Sequence, residues 1–508
     1  MKNNFLGFIF SWKMLTLILI LIQVLVLLIG FYWLSEYYNY FFWSFNLFSL
    51  ILVIYIFNKP GNPAFKMSWM VIVLAFPILG GGLYLFIRTN IGTTGVAKRL
   101  SKISNSTKEL IKPNQQTLIN LKKDDQCVYN LANYVHNTRN YPIYEKTNVK
   151  YFSLGETGYD EMINQLNQAQ KFIFLEYFIV EDGIMWSSIL EILKQKAQKG
   201  VEVRFMYDGM CSIFSLPRNY PKQLSKYGIK TKMFAPIKPA LSTHQNNRDH
   251  RKILVIDNKV AFTGGINLAD EYINQKVRFG HWKDTAVMIE GQAVTSFTLM
   301  FLQMWNIRND NDEYQKYLID NNDIVSDGYI MPYSETPISD NRVAENVYLD
   351  MIYKAKDYVH IMTPYLIIDN EMMTALTYVA TSGVDVSIIL PHIPDKKMAF
   401  NLAKSYYPEL IAGGVKIYEY IPGFVHAKSF VADNIKAIVG TINLDYRSLY
   451  LHYECALFIY KNKVVQEIED DFQETLQKCE LITLEKYKQN KFFDRFIGKV
   501  LRLFAPLM

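Results

Sequence analysis

The chain has 508 residues, of which 50% are hydrophobic and 15% aromatic, and its formal net charge is +6. This length accommodates two or three domains at the usual ~100 to 200 residues each. The net charge is too small to indicate a nucleic-acid partner. The four cysteines are scattered without a CxxC pair, which excludes a disulfide framework and a cysteine-based metal site.

Residues 1–90 are rich in apolar residues and are predicted to form an N-terminal transmembrane region. Segments 14–34, 40–57 and 69–87 approach the ~20 apolar residues that a helix needs to cross a bilayer. The first is too long for a signal peptide. Basic residues flank both ends of the region, so the positive-inside rule favours a re-entrant or interfacial second segment. The sequence thus predicts a multi-pass protein of the cell membrane, with the rest of the chain on the cytoplasmic side.

The next segment, 91–125, is polar, rich in basic residues, serine, threonine and asparagine, and poor in periodic apolar positions. We predict a linker here. Two interpretations are open: the linker lies along an anionic membrane surface, attracted by its basic residues, or it is an ordinary solvated tether.

From about residue 148 the pattern changes to strand, helix, strand, and the same order returns near residue 355. The predicted elements are 171–180, 187–200 and 201–208 in the first unit and 355–367, 371–383 and 384–391 in the second. Crossover helices between strands imply mixed sheets covered by helices. The sequence therefore predicts an α/β protein with an internal duplication, in which repeats 126–325 and 326–485 form a pseudo-dimer.

The last segment, 486–508, reads as a basic amphipathic helix. Lysines and arginines lie off an apolar stripe formed by Phe492, Phe493, Phe496, Ile497, Val500, Leu501 and Phe504. Such a helix suits a membrane interface, and a helix that docks on the protein's own core has the same stripe.

Each repeat carries a histidine and a lysine two positions apart, in HRKILVID (250–257) and HAKSFVAD (426–433). In a strand such residues point to the same side. His250 and Lys252 are therefore predicted to share one face, as are His426 and Lys428. Asp257 and Asp433 have the opposite parity. They are predicted to serve the turns that follow rather than to contact the histidines.

After each turn comes a second strand and a corner of small residues that ends in Asn267 or Asn443. A hairpin would return each asparagine toward its histidine and lysine, so the two repeats together would offer two imidazoles, two ammonium groups and two amides. This set suits a phosphodiester, because lysine and amide donors can hold the nonbridging oxygens in place of a metal ion. No metal is expected, since lysine is a poor ligand and no metal-binding histidine spacing occurs.

One imidazole could attack phosphorus while the other protonates the leaving group. Attack requires a neutral ring and protonation an imidazolium, which is a physical reason for two copies. Asp284 and Glu454 are predicted to orient the imidazoles by binding the other ring nitrogen. The remaining histidines are predicted to be structural, with His244 and His281 as possible linings of the site; the others are His136, His360, His392 and His452.

The duplicated motif, HxK with an aspartate five residues later and then glycine and asparagine, resembles the phospholipase D superfamily. More narrowly, NRDHRKILVID with GGINLADEY and GFVHAK with GTINLDYRSL look like bacterial cardiolipin synthases. The resemblance implies a cofactor-free transfer of a phosphatidyl group between two phosphatidylglycerol molecules, with release of glycerol. It implies histidines as nucleophile and acid/base pair, and phosphate binding by Lys252, Lys428, Asn267 and Asn443. Asp257 and Asp433 complete the motif.

Three alternatives remain open at this level. A hydrolytic phospholipase D uses the same motifs, a nuclease of the superfamily would not need apolar segments, and a non-catalytic lipid-binding scaffold would not need the histidines. The expected partners are phosphatidylglycerol and other anionic membrane lipids, without nucleic acid. The sequence does not determine the oligomeric state.

Overall fold

The structure is a computed structural model that describes residues 12–33, 38–88, 93–211, 215–236, 246–308, 314–319, 324–339 and 341–508. The chain divides into two compact units. The smaller unit takes its described residues from the ranges 1–97, 237–247 and 500–508, and the larger unit takes them from 98–236 and 248–499.

The α-helices are α1 (Trp12–Trp33), α2 (Tyr38–Asn58), α3 (Pro63–Ala75), α4 (Pro77–Arg88), α5 (Thr93–Thr107), α6 (Gln115–Asp124), α7 (Gln126–Arg139), α8 (Gly155–Gln168), α9 (Ile184–Gln198), α10 (Tyr220–Ser225), α11 (Val294–Trp305), α12 (Val343–Tyr353), α13 (Asn370–Thr381), α14 (Lys397–Lys404), α15 (Tyr407–Ala412), α16 (Val464–Leu476), α17 (Leu484–Gln489) and α18 (Phe492–Phe504). Short 3₁₀ turns and one π-helical turn, Arg447–Leu451, lie between them.

The strands are β1 (Thr147–Phe152), β2 (Phe172–Tyr177), β3 (Glu202–Asp208), β4 (Lys230–Phe234), β5 (Ile253–Ile256), β6 (Val260–Gly264), β7 (His281–Lys283), β8 (Ala286–Gly291), β9 (Tyr329–Glu335), β10 (Tyr358–Met362), β11 (Leu366–Ile367), β12 (Asp385–Pro391), β13 (Lys416–Tyr420), β14 (Gly423–Val425), β15 (Ser429–Ala432), β16 (Lys436–Gly440), β17 (Leu444–Asp445), β18 (Glu454–Tyr460) and β19 (Cys479–Leu481).

The smaller unit begins with four apolar helices. The predicted span 69–87 is divided, because Pro77 follows the last residues of α3 and starts α4. Leu52, Ile56, Val73 and Tyr84 form a small buried core. The predicted membrane spans are not confirmed: in the part of the chain that the structure describes, no helix is both long enough and apolar enough to cross a bilayer.

The predicted linker, 91–125, contains α5 and α6, and from Lys98 onward it belongs to the larger unit. Its helices contribute buried side chains, including Ile103 and Leu121. Asn114 caps α6 by accepting hydrogen bonds from the backbone of Gln116 and Thr117. Residues 93–125 are therefore folded structure rather than a free tether.

The larger unit contains two sheets with the same topology. The first has the strand order β1-β8-β6-β5-β2-β3-β4, and the second has the order β9-β18-β16-β15-β10-β12-β13 with β19 added at its edge. In both sheets the three strands from the strand, helix, strand units are parallel and the others are antiparallel. The predicted duplicated α/β fold with mixed sheets is confirmed.

Local sequence explains these elements. Strands β2 and β10 lie inside their sheets, which is why nearly all of their side chains are buried. The crossover helices α9 and α13 are followed by Gly200 and Gly383, both with positive φ, the conformation that ends a helix and favours glycine. The boundary between the repeats, 325/326, stays a prediction, as do the other domain boundaries.

Candidate active site

The two HxK segments lie immediately before β5 and β15 rather than inside them. The reason is a pairing between the repeats. The backbone N–H of His250 donates to the carbonyl of Tyr453 over 2.9 Å, and that of His426 donates to the carbonyl of Lys283 over 2.7 Å. Each histidine is therefore held by the segment of the other repeat that leads into β18 or β8.

This pairing carries the two predicted carboxylates across to the histidines of the opposite repeat. His250 Nδ1 lies 2.8 Å from Glu454 Oε1, and His426 Nδ1 lies 2.7 Å from Asp284 Oδ2. The strand registers make the carboxylates equivalent: Gly264 pairs with Ala286 and Gly440 pairs with Ala456, two residues after Asp284 and Glu454. The sequence alone did not indicate this crossing.

Gly265 and Thr441 occupy equivalent positions in the two corners. The glycine lies beside the shorter side chain of Asp284, and the threonine lies beside the longer side chain of Glu454. A Cβ on Gly265 would lie 1.9 Å from Asp284 Oδ1, so the corner of the first repeat needs glycine. Its counterpart Thr441 donates its hydroxyl to Glu454 Oε2. Both corners thereby hold a carboxylate against a histidine.

Two lysines complete the buried cluster. Lys252 Nζ donates to the carbonyl of His250 over 2.6 Å, and Lys428 Nζ donates to that of His426 and lies 2.8 Å from its Nδ1. Each lysine is 1% exposed. Burial lowers the pKa of Lys252 to about 8 and that of Lys428 to about 7, although Glu454 and Asp284 act in the opposite direction.

The surroundings of both imidazoles favour the neutral form in the free site. Burial, and then the charge of Lys252, hold the pKa of His250 well below its usual range, with further contributions from His426 and Lys428 of the second repeat. Burial and Lys428 lower the pKa of His426 to about 4. Burial also raises the pKa of Glu454 well above its usual range. The repeats thus contribute to one electrostatic site.

The free ring nitrogens are the ones available for chemistry. Both carboxylates bind Nδ1, and no described residue forms a hydrogen bond with Nε2 of either His250 or His426. A neutral ring that donates its Nδ1–H to a carboxylate has its lone pair on Nε2. Each histidine is 7% exposed, so both rings are largely buried.

The two predicted asparagines are buried, with different partners. Asn267 accepts from the backbone N–H of Ile179 over 3.0 Å and donates to the Tyr272 hydroxyl over 2.7 Å. Tyr272 in turn packs edge-on against His426, with 5.4 Å between the ring centroids. Asn443 Oδ1 has no hydrogen-bond partner among the described residues. Phosphate binding by these amides stays a prediction.

Asp257 and Asp433 lie at the other end of the strands from the histidines. Asp257 accepts hydrogen bonds of 2.7 Å from three successive backbone N–H groups, at residues 170–172. Asp433 accepts three bonds of 2.9 to 3.0 Å from residues 356–358. Both have positive φ in a tight hairpin turn. These aspartates anchor the strands beside the HxK segments and do not touch the imidazoles.

Two aromatic residues that the sequence analysis did not select lie against the histidines. The Trp282 ring lies 5.3 Å from that of His426, and the His452 ring lies 5.4 Å from that of His250. Each stands two residues before a carboxylate, in HWKD and in LHYE, and this shared offset is the signal that could have identified them. His452 was predicted to be structural, and its position beside His250 makes it part of the site.

The other histidines lie elsewhere. His281 contacts the hydroxyl of Tyr420 over 3.1 Å, and His244 lies outside the described residues. His360 and His392 pair with Glu469 and Glu419. His136 is half-buried, and its Nδ1 has no partner in the described part of the chain.

One group of side chains has the chemical types of a metal site. Ligand atoms of His250, His452 and Glu454 lie within 4.8 Å of one another. Glu454 is already bonded to His250 and Thr441, and the positive charge of Lys252 acts on both histidines. These contacts oppose a cation at this position, and the sequence-based expectation of no metal stays a prediction.

Comparison with known proteins gives the relatives of this chain. A family model described as "Cardiolipin synthase, PLD-like domain" matches residues 162–305 and 348–476, which together exceed half of the chain, and one described as "Phospholipase_D-nuclease N-terminal" matches residues 45–88. A cardiolipin synthase of Alkalihalophilus pseudofirmus is 33% identical over 91% of this chain and 93% of its own length.

An uncharacterized protein of Streptococcus mutans serotype c is 52% identical over 90% of this chain and 99% of its own length. Among solved structures, phosphatidylserine synthase of Haemophilus influenzae Rd KW20 has the same fold, with a TM-score of 0.54 and 15% identity over 75% of this chain and 98% of that one. The chain therefore belongs to the cardiolipin synthase family within the phospholipase D superfamily and is a phosphatidyltransferase.

Proposed function

We propose that this protein makes cardiolipin by transferring a phosphatidyl group from one phosphatidylglycerol molecule to another. The observation that supports this reaction most directly is the cross-repeat pair of imidazoles. Each has its Nδ1 bound by a carboxylate and its Nε2 free, and two buried lysines lie beside them. This arrangement supplies a nucleophile, an acid and an anion-binding charge without a cofactor.

In the first half of the reaction, Nε2 of one neutral histidine attacks the phosphorus of phosphatidylglycerol. A nitrogen–phosphorus bond forms, and the bond between phosphorus and the glycerol headgroup oxygen breaks. The imidazolium of the other histidine gives its proton to that oxygen, and glycerol leaves. The products are a phosphatidyl-histidine and a neutral second imidazole.

In the second half, the glycerol hydroxyl of another phosphatidylglycerol enters. The neutral second imidazole takes the hydroxyl proton while the oxygen attacks phosphorus. The nitrogen–phosphorus bond breaks, the first histidine is released, and cardiolipin is formed. Protons and bonds balance over the two halves, so the cycle consumes two phosphatidylglycerol molecules and releases one glycerol.

The negative charge of the substrate favours protonation of the histidine that acts as the acid. In the free site the pKa of both histidines is low because they are buried beside lysines. A bound phosphodiester adds a negative charge, which stabilises an imidazolium and both ammonium groups. The proposed site therefore gains its catalytic proton when the substrate arrives. The lysines hold the nonbridging oxygens and offset charge in the transition state.

Contact with lipid is supported by exposed apolar side chains. On α1 and α2 these include side chains that are each 56% to 66% exposed, namely Leu21, Leu25, Leu28, Ile51 and Phe57. Exposed patches of this kind mark membrane or protein contacts. We propose that they face lipid, with the reaction centre at the headgroup plane, and a cytoplasmic location of that centre stays a prediction.

The product of the purified protein tests this assignment. With phosphatidylglycerol as the only lipid, we expect cardiolipin and glycerol in equal amounts, measured by lipid chromatography and a glycerol assay. The same rate is expected in buffer with EDTA, because lysines rather than a metal hold the phosphate. Phosphatidic acid without cardiolipin would show that the enzyme is a hydrolase.

The pH dependence of the reaction should reflect the two lysines. In the free enzyme Lys428 and Lys252 lose their protons near pH 7 and 8, so each is an ammonium below its pKa and a neutral amine above it. We therefore expect kcat/KM to fall as the pH rises through this range. Bound phosphodiester raises both pKa values, so the fall in kcat should occur at higher pH.

Arginine variants provide the matched control. Lys252→Arg and Lys428→Arg keep a positive charge over the whole range, so the early fall in kcat/KM should disappear even though the altered geometry lowers the rate. An unchanged alkaline limb in both variants would show that other groups control it.

A further inference from the structure

A cavity of about 290 Å³ lies between α14, α17 and α18, in the larger unit. Its wall includes Lys397 and Lys404 of α14, Tyr487 of α17, and Arg495 of α18. None of these residues belongs to the cluster around His250 and His426. The cavity has the volume of a small ligand site, and the reaction proposed above does not use it.

Two polar atoms in the wall of this cavity are buried without a partner. They are the hydroxyl of Tyr487 and Nε of Arg495, neither of which has a hydrogen bond to any described residue. Tyr487 is 6% exposed. Buried polar groups in folded proteins are nearly always hydrogen-bonded, and leaving one unpaired is destabilising. Both atoms are donors, so two side chains that line the cavity carry hydrogen-bonding capacity that no described residue uses.

The charge of the wall also favours an anion. Lys397 and Arg495 form no ion pair with any residue that the structure describes, whereas Lys404 lies 3.3 Å from Glu419. The single acidic residue of the wall, Asp494, accepts a hydrogen bond of 3.2 Å from Asn401. The two cations, Lys397 and Arg495, together with the Tyr487 hydroxyl are a suitable set for a phosphate group.

The helix that carries Arg495 also carries exposed aromatic rings. Phe492, Phe493 and Phe496 are 75%, 68% and 54% exposed, and the rings of the first and last stack with 6.4 Å between centroids. On the other side of α18, Gly498 packs against the backbone of Asn401, where a Cβ would lie 2.3 Å from the carbonyl oxygen. Thus the helix is docked by one face and presents phenylalanines on another.

A ligand that matches both features has an anionic phosphate and apolar chains. We propose that the cavity binds the phosphate of an anionic phospholipid while the phenylalanines enter the acyl region of the same membrane surface. The wall of this cavity includes none of the histidines, lysines and carboxylates of the reaction centre, and the site holds the larger unit on anionic lipid. Lipid bound here would be a membrane contact and not a substrate.

The test is hydrogen–deuterium exchange on the full chain, reconstituted in nanodiscs of phosphatidylcholine alone or of phosphatidylcholine with phosphatidylglycerol. We expect backbone amides of residues 484–504 to exchange on the order of tenfold more slowly with phosphatidylglycerol. Arg495→Gln should abolish this protection, and Tyr487→Phe should reduce it without disturbing the fold. Lys499→Gln removes the same charge from an exposed position of α18 outside the cavity wall and should preserve the protection.

Three outcomes would overturn the proposal. Equal protection in both kinds of nanodisc would show that the anionic phosphate is not recognised. An equal loss in Lys499→Gln would show diffuse charge attraction rather than a built site. Protection by inorganic phosphate in phosphatidylcholine nanodiscs would identify a free-phosphate site. The cardiolipin assay in detergent micelles is independent of this test, because Arg495→Gln leaves the reaction centre intact and should keep its turnover there.

Discussion

His250→Asn and His426→Asn are each expected to lower kcat by about 10⁴- to 10⁶-fold, because each histidine forms or breaks a bond in both halves of the proposed reaction. Asparagine keeps a polar group near the position of Nδ1, so the contact with Glu454 or Asp284 can persist and the fold should be retained. Cardiolipin formation by purified protein measures the loss, and circular dichroism checks the fold.

His360→Asn is the matched control. His360 is as buried as His250 and His426, and it also pairs with a carboxylate, that of Glu469, over 2.9 Å. Its ring stacks on Phe472 and lies outside the candidate active site. We expect this variant to keep turnover within a few-fold. Full activity in folded His250→Asn or His426→Asn would contradict the mechanism and favour a scaffold that only binds lipid.

Asp284→Asn and Glu454→Gln are expected to lower kcat by about 10²- to 10⁴-fold, the range for loss of a group that orients a catalytic imidazole. The structure predicts more than the size of the effect. Because Asp284 binds His426 and Glu454 binds His250, each carboxylate variant should behave like a weaker form of the histidine variant in the other repeat.

A substrate whose leaving group needs no acid distinguishes the roles of the two histidine–carboxylate pairs. In the phosphatidyl ester of 4-nitrophenol, the leaving group departs as a stable anion, so the first step requires only the nucleophile. One histidine variant should therefore keep its burst of 4-nitrophenolate and accumulate a phosphatidyl-protein, and that variant lacks the acid. The other should show neither, which assigns the nucleophile.

Each carboxylate variant should then show the same burst behaviour as the variant of the histidine that it binds in the other repeat. If His426→Asn keeps the burst, Asp284→Asn should keep it too, while Glu454→Gln should be as impaired as with the lipid substrate; the opposite result is expected if His250→Asn keeps it. Asp284→Asn grouping with His250→Asn would show that the pairs act within repeats and would refute the crossed arrangement.

Much of the fold of the larger unit is readable from short segments. Apolar runs and the glycines that end α9 and α13 predict both strand, helix, strand units, and the structure confirms them with boundaries moved by a few residues. Opposite parity separates Asp257 and Asp433 from the histidines. Both are found in the hairpin turns, but their carboxylates bind the backbone at the start of β2 and β10 rather than the turns themselves. These features depend on local backbone preferences, which a sequence displays directly.

Other features depend on partners far away in the chain. The HxK segments were expected inside strands, but their backbone groups pair with residues about 200 and 140 positions away, so β5 and β15 begin later. Likewise, hydrophobicity alone made 69–87 a candidate span, whereas Pro77 divides it into two helices. His452 went unselected because its neighbour His250 is distant in sequence.

The sequence by itself determined the duplication, the residue types of the reaction centre and the family, because repeated motifs with fixed offsets are local. Only the tertiary structure decided which carboxylate serves which histidine. The loops from Asn267 to Asp284 and from Asn443 to Glu454 differ in length, so the equivalence of the carboxylates appears only in the sheet registers. The crossing itself arises because each HxK segment finds its backbone partners in the opposite repeat, which no pattern within one repeat can show.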